Sequence, residues 1–338
     1  MLMRWHTRSV LLALFALPCL AAAQLLAEDT SDSPNLPAYR STVSEVRVTF
    51  FATDENNHPL ATLTKLDFAI VDNERVVRNF RSFTHSDETS LDVVALVDMS
   101  ESVAPRLRVA LTDVLQLVAQ EQSIPDDNIS VLSFGGAAGG LRPAILCSSA
   151  CRASDSISKL LAVKSGGTTP LFDALIFAAD LISQHRRGGG HSADRGIVRP
   201  VLILFSDGYD TISMHSAREA LQAVLDEGAL VYSVDMGKSE NQSSSQILEN
   251  QASGSTFLRR VSQATGGRYF SSPRDISQQN GAAAVLNAVL EDLRASYVVT
   301  YPLPSHEAGF HSLRLLPTHN LNLTFHSRNG YDYEPSGH

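Results

Sequence analysis

A chain of 338 residues, 43% hydrophobic and 19% charged, has room for about two domains and a substantial core. Its formal net charge of −9 and the isolation of its basic pairs, Arg186-Arg187 and Arg259-Arg260, speak against a nucleic-acid surface.

Arg4 and Arg8 precede the short apolar stretch Val10–Leu20, and Ala21-Ala22-Ala23 offers a small-residue cleavage site before Gln24. This is the pattern of a secretory signal over residues 1–23, and it places the protein outside the cytoplasm, secreted or periplasmic. The apolar stretch is short for a membrane span, and Pro18 before Cys19 fits poorly with lipoprotein processing. Residues 24–41 carry Ser33, Pro34 and Pro37 and read as a linker. Without Cys19 the chain keeps Cys147 and Cys151, in LCSSAC, and an even count at close spacing in an oxidising compartment reads as a disulfide. Zinc would need more ligands than this segment supplies.

Residues 42–90 alternate apolar and polar side chains, as at Val46, Val48 and Phe50 and again at Leu66, Phe68 and Ile70, with Asn/Asp turns between them. That is the mark of half-buried antiparallel strands. From Leu91 the pattern changes. Val93–Val97 is a continuous apolar run, expected to be a strand buried on both faces, and Leu107–Val118 has helical spacing. Strand patterns follow at Ile129–Phe134, Val201–Phe205, Leu230–Val234 and Arg268–Phe270. Helical ones follow at Leu171–Ile182, Ala217–Leu225, Phe257–Ala264 and Ala282–Leu293. His185–Arg199 and Lys238–Ser255 read as polar loops. This alternation over residues 91–294 predicts an α/β fold with a doubly wound, mostly parallel sheet. Residues 295–334 return to period two, at Tyr297, Val299 and Tyr301 and at Leu321, Leu323 and Phe325. Neither β-rich flank is long enough to bury its own apolar face, so the two are expected to pair in one antiparallel β domain with the α/β block inserted between them.

Three polar segments close apolar strands or open helices in this block: Asp98-Met-Ser100-Glu-Ser102, Gly166-Gly167-Thr168-Thr169 before Pro170, and Ser206-Asp207-Gly208. The topology gathers the carboxyl ends of parallel strands at one edge, where ligands bind. Hard divalent cations take carboxylate and hydroxyl oxygens. Taken singly, each segment could be a helix cap or a turn.

Together they resemble the von Willebrand factor A domain with its metal-ion-dependent adhesion site, and the likeness covers about 200 residues. LTKLDFAIVDNERVVRNF, HSLRL and RNGY further resemble a bacterial exported group of related proteins. The resemblance implies metal positions at Asp98, Ser100, Ser102, Thr169 and Asp207, with Thr168 as the neighbouring alternative to Thr169. It implies that Ser100 and Ser102 bind a cation directly, with Mg²⁺ foremost and Mn²⁺ or Ca²⁺ also suited. A carboxylate from a partner protein then completes the shell. Asp235 reads as a helix cap or a supporting group behind these positions, and no role is assigned to Glu101. His185, His191 and His215 read as solvated histidines.

A protein-binding module is therefore expected, and not an enzyme. One alternative is a structural domain with a vestigial site. Another is phosphoryl transfer with Asp98 as acceptor, Asp207 on Mg²⁺ and Lys238 on the phosphate. Against the last, Ser100 stands where such enzymes carry a second carboxylate, and neither a G-x-S-x-G elbow nor a phosphate loop is present.

Overall fold

A computed structural model describes residues 45–56, 58–60, 62–103, 128–136, 141–148, 166–188, 197–237, 245–271 and 281–335, and the single positions 151, 159, 162 and 164. The expected signal, linker and Leu107–Val118 helix lie outside the described residues. In chain order the strands and helices are β1 (Glu45–Thr53), β2 (Phe68–Asp72), β3 (Arg75–Val77), β4 (Ser82–His85), β5 (Thr89–Asp98), β6 (Asn128–Phe134), β7 (Ala144–Cys147), α1 (Leu171–Gly188), β8 (Ile197–Ser206), α2 (Ala217–Asp226), β9 (Leu230–Asp235), α3 (Ser245–Thr265), β10 (Tyr269–Phe270), α4 (Gly281–Arg294), β11 (Ser296–Pro302), β12 (Gly309–Pro317), β13 (Thr324–Ser327) and β14 (Gly330–Tyr333).

The apolar run at 93–97 becomes the middle of a six-stranded sheet of order β10-β9-β8-β5-β6-β7. Because side chains alternate across a strand, Val93, Ala95 and Val97 enter one core, with Val289 and Leu293 of α4, while Val94 and Leu96 enter the other. The second core is closed by Leu171, Leu175 and Ala178 of α1, Ala220 and Val224 of α2, and Leu258 and Val261 of α3. Helix α2 starts at a reciprocal capping box, Ser216 with Glu219. Five strands run parallel, and β7 pairs antiparallel with β6 at the edge. Cys147 ends β7 and is disulfide-bonded to Cys151, with Cα atoms 5.3 Å apart.

The two β-rich flanks form a sandwich of two four-stranded antiparallel sheets, β13-β1-β11-β4 and β14-β12-β2-β3. Each sheet takes two strands from before the α/β block and two from after it. Strand β11 lies between β1 and β4, with Val48 opposite Val299 and Phe83 opposite that same valine, and β12 pairs with β2. The sandwich core is aromatic: Phe50 lies 4.9 Å from Phe68 and 5.5 Å from Tyr297, ring centre to centre, and Phe83 stacks on Tyr297 at 5.3 Å. Buried Asp72 accepts from the hydroxyls of Tyr301 at 2.9 Å and Tyr331 at 2.7 Å, tying β2 to β11 and β14.

The α/β block begins and ends beside this sandwich. The Ser86 hydroxyl, just before β5, donates to the Arg294 carbonyl at the end of α4. Arg199 of β8, 3% exposed, donates to the Leu293 carbonyl at 2.9 Å and to the Ser296 hydroxyl. One buried guanidinium therefore holds the turn at which the chain leaves α4 for β11.

Three expectations need correction. Helix α1 runs on to Gly188, where Arg186 and Arg187 in its last turn suit the negative end of the helix dipole, so His185 is helical. The polar stretch before Phe257 is helical from Ser245, in one helix with Ser255, whose hydroxyl donates to Asp235. The Leu321-Leu323-Phe325 alternation does not make one strand. The Asn320 side chain accepts from the Asn322 amide at 3.1 Å in a turn, leaving Leu321 76% exposed, and β13 starts at Thr324.

Arg199→Ala removes the buried guanidinium and leaves the Leu293 carbonyl only the Ser296 hydroxyl, which donates to it at 2.6 Å. It is expected to cost about 1–3 kcal/mol in urea unfolding, with the midpoint falling at unchanged m-value. Alkylation of unreduced protein, read by intact mass, is expected to label neither Cys147 nor Cys151. Labelling of both would rule out the bridge.

Candidate functional site

From Val93 onward strand β5 is apolar until its last residue, where Asp98 is fully buried. Both carboxylate oxygens have donors. The Ser100 amide donates to Oδ1 at 2.8 Å, which folds the following turn back on itself, and the Ser206 hydroxyl, at the end of neighbouring β8, donates to Oδ2 at 2.7 Å. Ser100 is buried, and its Oγ is 3.2 Å from that of exposed Ser102.

The second segment docks on this turn through its backbone. The Gly166 amide donates to the Met99 carbonyl at 3.0 Å, and the Met99 amide to that of Phe134 at 2.8 Å. Gly135, with φ +71°, sits in the middle: a Cβ there would lie 3.2 Å from the Thr168 carbonyl oxygen, 3.4 Å from the Ser100 amide and 3.6 Å from Asp98 Oδ1. A larger residue at this position would push the two loops apart. Of the two threonines, Thr169 is buried and Thr168 exposed. Thr169 is fixed by Thr211, whose hydroxyl accepts its amide at 2.7 Å and whose amide donates to its carbonyl at 2.9 Å.

Asp207 follows β8, 4% exposed, with the Tyr209 amide on its Oδ1 at 3.2 Å and the Ser102 hydroxyl as a further donor. Its turn is packed against α3 with no room to spare. A Cβ on Gly208, which has φ +81°, would fall 2.2 Å from the Gly254 carbonyl oxygen, and one on Gly254 2.3 Å from that of Asp207. Hydrogen bonds link Asp98, Ser100, Ser102 and Asp207 at the carboxyl edge of β5 and β8, and the backbone of the Thr168-Thr169 segment comes up beside them at Gly135. Asp235, at the end of β9, is not a helix cap, because α3 begins at Ser245. It accepts from the Ser255 and Tyr269 hydroxyls, each at 2.6 Å, and from the Gly237 amide at 2.7 Å, which fastens α3 behind Asp207. The sequence pattern marks Ser206 and Gly135 only as the ends of their strands, with no role at the site. A serine closing an otherwise apolar strand and a glycine pair ending β6 at the same edge are the signals that could have found them. His215 lies on the surface, its Nδ1 2.8 Å from Asp173, and His191 lies outside the described residues.

Burial pushes the Asp98 carboxyl up to about 6; hydrogen bonds from Ser100 and Ser206 oppose this, and the nearby Asp207 adds to it. Burial also raises Asp207, with Asp235 pushing the same way against the Ser102 and Tyr209 hydrogen bonds. Two carboxylates are thus held close in a dry site, and among the described residues neither forms an ion pair with a basic side chain. A set of hard carboxylate and hydroxyl oxygens around uncompensated negative charge fits a hard divalent cation.

The family model for the von Willebrand factor type A domain matches residues 92–269. No curated protein matches the chain. Among solved structures it is similar to the SpRpn10 VWA domain, at 11% identity over 60% of this chain and 96% of that one, with a TM-score of 0.39. It is similar to proximal thread matrix protein 1 from the mussel byssus with a zinc-occupied MIDAS motif, at 13% identity over 65% of this chain and 49% of that one, with a TM-score of 0.41. It is also similar to the pilus adhesin SpaC from Lactobacillus rhamnosus GG in its open conformation, at 11% identity over 84% of this chain and 47% of that one, with a TM-score of 0.44.

The raised Asp98 carboxyl makes a prediction about stability. Its folded value, about 6, lies above the ordinary 3.8, so the folded state holds this proton more tightly than the unfolded chain does. The resulting stabilisation is complete below about pH 4 and is lost as pH rises through about 6. Metal-free protein is expected to lose on the order of 3 kcal/mol to this group across that window. Urea unfolding at several pH values, wild type against Asp98→Asn, checks it: equal pH slopes in the two proteins would contradict the assignment.

Proposed function

The chain belongs to the von Willebrand factor type A domain family, and on that premise we propose that it is an exported protein-binding module. It holds one divalent cation at the Asp98 edge and engages a carboxylate of a partner protein there. The observation that carries this reading is the pair of buried carboxylates, Asp98 and Asp207, at the ends of neighbouring strands with Ser100 and Ser102 beside them, each carboxylate pushing the shared site toward excess negative charge.

The chemistry of the donors supports the division of labour. Ser100, Ser102 and Thr169 supply neutral oxygens to the cation. Asp98 and Asp207 supply the negative charge, while the Ser206 hydroxyl and the Ser100 amide keep Asp98 oriented. Bound there, the ion offers an electrophilic coordination site that a partner's carboxylate can fill. Mg²⁺ suits the oxygen set best, and Mn²⁺ or Ca²⁺ would also be accepted. The amino-terminal Arg4, Arg8 and Val10–Leu20 pattern supports export.

The phosphoryl-transfer alternative fares worse. A nucleophilic aspartate needs an accessible oxygen, whereas Asp98 is fully buried with a donor on each oxygen. Lys238, the phosphate partner in that alternative, lies outside the described residues.

Titration calorimetry is expected to give one Mg²⁺, Mn²⁺ or Ca²⁺ per chain. Asp98→Ala and Ser100→Ala are expected to abolish the binding while circular dichroism stays that of the wild type. Capture of a partner from the exported fraction is expected with Mg²⁺ and not with EDTA, and not with Asp98→Ala. Undiminished metal uptake by both folded variants would remove the site.

A further inference from the structure

The other end of the parallel sheet carries a second cluster that metal binding does not use. His185, near the end of α1, lies between Asp92 of β5 and Ser148, the residue after β7. Its Nδ1 is 3.0 and 3.1 Å from the two Asp92 oxygens, and its Nε2 is 3.3 Å from Ser148 Oγ. A carboxylate only accepts, so Nδ1 carries the proton and Nε2 is left to accept from the Ser148 hydroxyl. Asn128 Nδ2 donates to the same Asp92 oxygen at 3.0 Å, and its 3.1 Å contact with His185 Nδ1 is that of two donors converging on one acceptor. Ser130 Oγ lies 3.0 Å from Ser148 Oγ and donates to it once the Ser148 hydrogen is turned toward the imidazole.

Exposure is graded along this line. The Asp92 side chain is 6% exposed and that of His185 17%, while Ser148 is exposed. Asp92, Asn128 and His185 line a cavity of about 720 Å³ together with Arg47 and Thr300 of the β sandwich, and Ser148 lies outside that lining. The Cys147–Cys151 bridge closes the loop that bears Ser148.

We propose that Ser148, His185 and Asp92 are the nucleophile, general base and orienting acid of an esterase site that takes carboxylic esters at the exposed Ser148 hydroxyl. Ser148 Oγ bonds to the ester carbonyl carbon while its proton passes to His185 Nε2. The C–O bond to the alcohol then breaks, and the departing oxygen takes that proton. Water attacks the acyl-serine, gives a proton to His185, and releases the carboxylic acid as Ser148 regains its hydrogen. Asp92 holds the imidazole in the required tautomer throughout and stabilises the imidazolium.

A purely structural network would satisfy buried Asp92 without making Ser148 reactive, and the experiment separates the two. The full chain, disulfide intact, is treated with a fluorophosphonate probe and the labelled serines are read by peptide mass spectrometry. p-Nitrophenyl acetate hydrolysis is followed in parallel. Ser148 is expected to label at least about 100-fold faster than exposed Ser216, a helix cap in the same molecule. Ser148→Ala is expected to remove the fast label and the hydrolysis, and His185→Gln to slow both by about 100-fold. Equal labelling of Ser148 and Ser216 in folded wild type would overturn the proposal without any variant. So would labelling of folded His185→Gln at the wild-type rate.

Discussion

Strand β5 is buried on both faces, and the charges it carries have to be compensated at its ends. Asp98 is fully buried at one end and Asp92 4% exposed near the other. A carboxylate taken out of water costs several kcal/mol unless donors or an opposite charge replace its hydration. Around Asp92 the protein supplies its own donors, the Asn128 amide and the His185 ring. Around Asp98 it supplies an amide and a hydroxyl but leaves the neighbouring Asp207 as a second negative charge. The donor set there is incomplete in the one respect a divalent cation would remedy.

The rest of the architecture keeps that edge rigid. The close approach of Gly208 to Gly254 locks the Asp207 turn against α3, and Asp235 fixes the same helix through Ser255. Thr211 clamps Thr169 from below. The β sandwich takes no part in the edge. It gathers the strands before and after the α/β block into shared sheets, and Arg199 and Ser86 seal the place where the chain passes between them.

Much of this was legible in the sequence because period and punctuation are local signals. A five-residue apolar run stopping at Asp98-x-Ser100-x-Ser102 announces a doubly buried strand with a polar edge, and the alternation in 45–53 and 296–302 announces half-buried strands that need a partner. What stayed hidden depends on contacts between distant segments. His185 sits in a stretch of Arg, Gly and His that looks solvated, and only the packing of α1 against the sheet brings it to Asp92, 93 positions away. The first turns of α3 have a polar composition that hides their helical period. Ser206 matters for where its hydroxyl points, toward an oxygen 108 positions earlier.

The two ends of β5 are also far enough apart to act separately. Six residues of extended chain span about 20 Å, at which two unit charges interact by only about 1 kcal/mol at an effective dielectric of about 20. The strand joining them is apolar and closely packed on both sides, and it offers no polar chain along which protonation at His185 could be relayed to Asp98. Occupancy of the Asp98 edge and the chemistry of the Asp92 edge are therefore independent properties of one scaffold. Each follows from the same constraint: a strand without a solvent-facing side can place its carboxylates only where other segments come to meet them.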